Sequence, residues 1–252
     1  MTGRIVAGLE GVAKAFGGLR AVDGVSLDIP AGEVVGIIGP NGAGKTVLIN
    51  LITGFYHASD GQITIADHNV TQWTLHQIGR LGVARTFQNI RLFRRLSVLE
   101  NVMVANPAFT AHPLRGLLAL SPRRQGRDEA MDLLALFGLA DRADQSAGEL
   151  AYGDARRLEI ARALATRPRL LLLDEPAAGM NDRETEALVD DIRKVKPRLE
   201  AIALIEHDMS LIRALADRVV AMNYGRIIAE GATGTVLSHP KVVEAYLGQE
   251  ES

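Results

Sequence analysis

Cysteine is absent from all 252 residues. That excludes a disulfide framework and any thiolate metal site, and it fits a reducing cytosol. Charge of one sign is lacking too: 28 lysines and arginines against 30 aspartates and glutamates leave a net −2. Such a balance gives no electrostatic case for nucleic acid as a partner. No apolar run approaches the roughly 20 residues that would span a bilayer. Met1–Val6 has neither the long apolar region nor the small-residue cleavage site of a signal peptide. The six histidines (His57, His68, His76, His112, His207, His239) show no ligand spacing, so no structural metal is expected. Internal repeats, low-complexity tracts and sustained heptads are likewise missing. The chain is expected to meet a membrane only through partners, and no regulatory domain is expected after Ser252.

What is present is ordinary for a soluble globular chain, 47% hydrophobic and 23% charged. Its length suits one or two domains with a sizeable core. Val34–Ile38, Leu170–Leu173 and Ala201–Ile205 are near-continuous apolar runs, the pattern of strands covered on both faces. Arg4–Val12, Val25–Ile29 and Gln62–Ala66 read as more exposed strands, the last after the turn signal Asp60-Gly61, and Arg226–Ala229 as a late one. The stretch from Asn89 to Thr166 reads as largely helical. Within it Asp128–Phe137 carries Met131, Leu133, Leu134 and Leu136, with Gly138 as a stop. The expected organisation is a mixed α/β core, 1–88 and 167–252, interrupted by a helical subdomain, 89–166. Val104–Arg127, with Pro107, Pro113, Pro122 and the apolar patch Gly116–Leu120, is expected to be a loop packing on that subdomain; a partner contact is the alternative.

Directly after the first buried strand comes Gly39-Pro40-Asn41-Gly42-Ala43-Gly44-Lys45-Thr46, which fits the phosphate-binding P-loop, or Walker A, pattern. The spacing has a geometric reason. Successive backbone N–H groups surround phosphate oxygens only where no Cβ intrudes, and a helix beginning near Gly44 points its positive end at the same anion. Lys45 supplies a full charge for the β- and γ-phosphates, and the Thr46 hydroxyl is a Mg²⁺ ligand candidate. Val47 has no hydroxyl, so any contact it makes to phosphate comes from its backbone.

Leu170-Leu171-Leu172-Leu173-Asp174-Glu175 is a buried-strand pattern that ends in two acids. In parallel α/β sheets ligands gather beyond the carboxyl ends of strands, which places both acids near the glycine loop. Asp174 is suited to the Mg²⁺ hydration shell and Glu175 to polarising an attacking water. Ala201–Ile205 followed by Glu206-His207-Asp208 repeats the design, and puts His207 within reach of a γ-phosphate.

With these pieces in order the chain, from Arg4 to Leu247, resembles the nucleotide-binding subunit of ABC transporters. Leu150-Ala151-Tyr152-Gly153-Asp154, opening the helical Ala155–Ala165, is similar to the signature motif of that family. There, two subunits dimerise head to tail, and each signature closes over ATP held by the other subunit's P-loop. The resemblance implies a P-loop NTPase core with a parallel sheet, an N-terminal antiparallel β-subdomain and an inserted helical subdomain. It also assigns roles: Phe16 to adenine stacking, with a buried core aromatic as the alternative; Gln88 to Mg²⁺ and the attacking water; Asp174 to the metal shell; Glu175 to catalysis; His207 to the γ-phosphate. Ala151 replaces the usual serine, Tyr152 a glycine and Asp154 a glutamine, while Asn181 stands where many relatives have aspartate.

Those departures narrow the family. Together with Arg156–Arg162, Thr53–Tyr56, Arg85–Phe93, Glu175–Asn181, Glu206–Met209 and Ala245–Gly248, they resemble the ATPases of branched-chain amino acid importers, and among these the larger of the two ATPase subunits. The implied partners are a second nucleotide-binding subunit, identical or related, integral membrane permeases and, indirectly, a periplasmic or extracellular solute-binding protein. The implied ligands are ATP and Mg²⁺, and the implied location is peripheral, on the cytoplasmic side of the inner membrane. Importers of urea or short amides share many of these motifs, and a lipopolysaccharide-export ATPase, also short and without an appended domain, is a further alternative. A non-transport ABC protein would usually bring tandem domains, long coiled coils or basic surfaces, none of which is present.

Overall fold

A computed structural model describes residues 3–107 and 120–247. In chain order the strands are β1 (Ile5–Phe16), β2 (Leu19–Pro30), β3 (Val34–Ile38), β4 (Asp60–Ile65), β5 (His68–Asn69), β6 (Val83–Arg85), β7 (Leu170–Asp174), β8 (Ala201–Ile205), β9 (Arg218–Asn223) and β10 (Arg226–Ala232). The helices are α1 (Lys45–Ile52), α2 (Leu75–Arg80), α3 (Val98–Met103), α4 (Leu120–Leu136), α5 (Tyr152–Ala165), α6 (Asp182–Val195), α7 (Met209–Leu215), α8 (Thr233–Leu237) and α9 (Pro240–Leu247). Internal contacts divide the chain into two units: Met1–Arg85, Arg169–Glu175 and Val195–Ser252 form the first, Thr86–Pro168 and Pro176–Lys194 the second.

The first unit holds both sheets. One is four-stranded and antiparallel, in the order β2-β1-β4-β5; the other is six-stranded, β10-β9-β3-β8-β7-β6. In the second sheet β3, β6, β7, β8 and β9 run parallel, and β10 returns antiparallel along β9. Every residue of β3, β7 and β8 is buried, as expected for near-continuous apolar strands, here broken only by Gly36 and the terminal Asp174. Leu9, Val25 and Ile63 of the antiparallel sheet share one core with Val35 and Ile37 of β3, Leu172 of β7, and Leu48 and Ile52 of α1.

Register fixes where the chemistry falls. Val35 pairs with Ala203 and Leu173 with Leu204, so β3, β7 and β8 end at one sheet edge with β8 in the middle. That edge carries Gly39, Asp174 with Glu175, and Glu206 with His207 in three consecutive strand exits.

The second unit is helical. Val98, Leu99 and Val102 of α3, Ala130 and Leu134 of α4, and Leu158 and Ala161 of α5 are buried within it, with Phe137 and Leu139 from the turn after α4. Ser97 caps α3 reciprocally with Glu100, accepting the Glu100 amide while the Glu100 carboxylate accepts its own. Gly138 ends α4 in the left-handed conformation, φ +67°. Segment 176–194, expected in the α/β core, groups with the helices; Arg157 of α5 pairs with Asp191 of α6 at 2.8 Å.

Several boundaries differ from expectation. The antiparallel strands are longer at their turn ends, β1 by four residues to Phe16 and β2 from Leu19 onward, because paired hairpin backbone continues past the apolar core residues. The segment expected to be a loop through Arg127 is helical from Leu120. Gly116–Leu120 lies outside the described residues apart from Leu120 itself.

Candidate nucleotide-binding site

The glycine loop owes its shape to close approaches that admit no side chain. A Cβ on Gly39, φ +151°, would sit 2.3 Å from the Met222 carbonyl oxygen, and one on Gly44, φ +98°, 2.4 Å from that of Ala21. Gly42 is the third loop residue at positive φ. The buried Ala43 ties the loop to the β9–β10 turn by accepting the Gly225 amide at 3.0 Å. Gly44 is the N-cap of α1 and makes no side-chain cap, so it takes up none of the helix's first amides through a side chain. Asn41, Gly42 and Thr46 are exposed at this mouth, whereas Val47 packs its isopropyl group on the core. The residue in place of a hydroxyl therefore has a packing function.

Lys45 is 7% exposed and donates to the carbonyls of Gly39 at 2.5 Å and Pro40 at 3.0 Å. Burial pushes its pKa down, an effect partly offset by the nearby carboxylates of Glu175 and Asp174. An anion arriving at the loop favours the charged ammonium, and the lysine is poised to exchange two neutral carbonyls for it.

At the exit of β7, Asp174 pairs with Arg85 at 2.6 Å, and Arg85 also donates to Asn50 of α1. Glu175 occupies the left-handed region, φ +47°, with its amide bonded to the Ile205 carbonyl at 3.0 Å. A non-glycine residue held there stores strain of about 1–3 kcal/mol, a feature concentrated at functional positions. His207 Nδ1 lies 4.0 Å from the Glu175 carboxylate and 3.9 Å from that of Glu206. Lys45, Asp174, Glu175 and His207 thus converge as the strand ends implied.

Phe16, at the tip of β1, is 43% exposed, which rules out the buried-core alternative. Tyr56 supports it edge-on at 5.2 Å, and the Lys14 ammonium lies 5.2 Å from its ring centre. One face of an aromatic ring is therefore held in place at the loop side of the antiparallel sheet.

The remaining predicted residues belong to the second unit. Leu150 and Ala151 precede α5, Ala151 as its N-cap with no side-chain bond. Tyr152 opens the helix and donates its hydroxyl to the Ala178 carbonyl at 2.7 Å. Gly153 is buried, and a Cβ there would meet Glu184 Oε1 at 2.9 Å. Gln88 is exposed; Arg156 donates to its carbonyl at 2.7 Å and to that of Phe87 at 2.6 Å. Asn181 caps α6 through a reciprocal pair with Glu184, a duty an amide performs as well as a carboxylate.

Sequence reasoning missed three supporting residues: Arg85, Tyr56 and Arg156. Arg156 is fully buried and ion-paired to Glu159 at 2.7 Å; burial raises the pKa of Glu159 against its arginine neighbours. The signal was an Arg–Glu pair three apart, in a helix that also carries Asp154, Arg157 and Arg162 and so does not single it out.

A sheet edge that joins a glycine loop, a buried lysine, two acids and a histidine defines a phosphate-handling ATP-binding cassette, and comparison with known proteins agrees. The ABC transporter family model matches residues 22–178, and a second, the branched-chain amino acid ATP-binding cassette transporter, matches residues 226–252. The chain belongs to the ABC transporter family. It is 43% identical to the high-affinity branched-chain amino acid transport ATP-binding protein LivG of Salmonella typhimurium, over 96% of this chain and 97% of the relative. BraF of Pseudomonas aeruginosa, with the same description, is also 43% identical at the same coverage. Among solved structures, an ATP-binding cassette of an ABC transporter in its ADP conformation superimposes with a TM-score of 0.86 at 33% identity, covering 97% of this chain and 99% of that one. Among the described residues no helix is long and apolar enough to cross a membrane.

Proposed function

We propose that this chain is the ATP-hydrolysing subunit that energises uptake of leucine, isoleucine and valine, bound peripherally to permease subunits on the cytoplasmic side of the inner membrane and served by an external solute-binding protein. The hydrolytic reading rests on one observation, the strand-edge cluster in which His207 stands 4.0 Å from a strained Glu175 beside the buried Lys45. Likeness to LivG and BraF and the matched segment 226–252 support the solute class.

In this mechanism the amides of Asn41–Val47 surround the phosphates and the N-terminus of α1 complements their charge. Lys45 leaves the carbonyls of Gly39 and Pro40 for the β- and γ-phosphates. Phe16 stacks on adenine, its ring kept in place by Tyr56. Glu175 accepts the proton of the attacking water, His207 meets the γ-phosphate, and Gln88 orients the water. Thr46 and Asp174 would hold Mg²⁺. Their oxygen donors fit an ion that takes one or two carboxylates plus phosphates; among the described residues no group of three or more His, Asp or Glu forms a separate metal cluster. Mg²⁺ supplies neutralisation of phosphate charge. Leu150–Gly153 of a second nucleotide-binding subunit, identical or related, closes over the nucleotide. Residues 89–166 act as the helical subdomain that carries the closure to the permease, and ATP drives it because the closed dimer binds ATP better than the open one.

The test is transport. Replacing Glu175 by Gln in the cell is expected to abolish uptake of labelled leucine, isoleucine and valine while leaving urea uptake and lipopolysaccharide export intact. Unchanged branched-chain uptake with loss of either other process would overturn the solute assignment.

A further inference from the structure

The carboxyl-terminal helix carries a residue that none of this machinery uses. Tyr246 of α9 accepts the backbone N–H of Gly39, the first loop residue, at 2.8 Å. Gly39 is buried, and its carbonyl is taken by Lys45 at 2.5 Å. Gly39 is therefore held through both its amide and its carbonyl, by a tyrosine 207 residues away in sequence and by Lys45.

We propose that Tyr246 is a positioning residue for the phosphate loop, and that α9 is a brace holding the first glycine while Lys45 changes partners. The proposal rests on the ATPase reading. Its physical basis is timing: when Lys45 turns to phosphate, Gly39 loses its carbonyl partner, and the bond from Tyr246 remains to hold this residue in its φ +151° conformation. On the side facing α9, close packing does not perform that task. A cleft of about 450 Å³ opens between the helix and the loop, lined by Pro40, Tyr224, Lys241 and Glu244 among others. Val242 anchors the helix as its one buried residue, and Tyr246 reaches across to the loop. Burial raises the tyrosine pKa, so the hydroxyl stays neutral throughout the physiological range. The segment bearing Tyr246 lies within the 226–252 match to branched-chain amino acid transporters.

The experiment compares the full chain with Tyr246→Phe and with Glu244→Ala, an exposed change on the same helix. Fluorescent ATP-analogue titration with Mg²⁺, steady-state hydrolysis and amide exchange at ¹⁵N-labelled Gly39 are the readouts. Tyr246→Phe is expected to raise the nucleotide Kd and the KM for ATP by roughly three- to tenfold, the worth of one hydrogen bond, with kcat within about twofold. Exchange at the Gly39 amide accelerates while the thermal midpoint and Glu244→Ala kinetics stay near wild type. Equal Kd and KM in Tyr246→Phe, an unchanged Gly39 exchange rate, or a fall in kcat alone would overturn the proposal. A wild-type chain that binds no ATP would instead overturn the ATPase reading on which it rests.

Discussion

The two sets of candidate residues, one in each unit, are held in opposite ways. In the first unit the functional groups are held by backbone: glycines that admit no Cβ, a glutamate in left-handed conformation, and a lysine parked on carbonyls. In the second, side chains hold the backbone. Arg156 grips the carbonyls of Phe87 and Gln88, and Tyr152 grips that of Ala178. The first arrangement leaves charge ready to be transferred to a ligand. The second spends its charge on a buried Arg156–Glu159 pair, and so fixes where the loops of one unit lie relative to its signature helix. Chemistry should fail when the first set is altered, and folding or loop order when the second is.

The largest effect expected tests the first set. Glu175→Gln should lower hydrolysis by roughly a thousandfold, mid-range for loss of a general base, while ATP still binds and traps a stable dimer. Full turnover in a chromatographically dimeric variant removes Glu175 as the base. In the second set, Arg156→Met should destabilise the fold by about 3–5 kcal/mol in urea denaturation, because Glu159 is left buried without its cation. The Glu159 carboxyl is already held above its ordinary range by burial. A raised native pKa favours the protonated fold, so the variant should be most stable below the ordinary carboxylate range and lose stability as pH rises through the raised value. A flat pH profile would show that the pair is not the unit's charge lock.

Phe16→Ala should weaken ATP by about 1–3 kcal/mol, the range for a base stacked on an aromatic ring, and leave affinity for inorganic triphosphate unchanged. Parallel losses for both ligands would end the stacking role. The smallest effect lies far from either set of loops. Arg167, with Asn106 and Gln125, holds the Glu129 carboxyl down to about 2. A lowered native pKa contributes stability above the ordinary carboxylate value that is lost as pH falls through the native one, here from about 4.5 toward about 2. Since both groups are partly exposed, Glu129→Gln should remove no more than about 1 kcal/mol of this acid-range dependence.

Much of the first set was legible because its causes are local. A glycine loop after an apolar run, and acids or a histidine directly after two more, declare themselves by order along the chain; the parallel register then makes them neighbours. The strands β6 and β9 were not read, Val83–Arg85 being too short and Val219–Met222 a four-residue apolar run with no turn signal before it. Support from distant residues was illegible in principle. That Arg85 would pair with Asp174, Tyr56 with Phe16, or Tyr246 with Gly39 depends on tertiary neighbours that no spacing encodes. Tyr152 looked like a damaged signature glycine; its ring lies against Gly179 and its hydroxyl on Ala178, a bond a glycine has no means to make.

All of this presumes that the backbone cradle of the first unit receives a triphosphate. Calorimetric titration of magnesium and ATP into the full chain, beside Lys45→Ala, decides it most directly. Saturable one-to-one uptake by the wild type, weakened at least about tenfold in the variant, is the outcome predicted for a buried ammonium that moves onto phosphate. No heat of uptake with the wild type, or equal affinity in the two, would contradict the account.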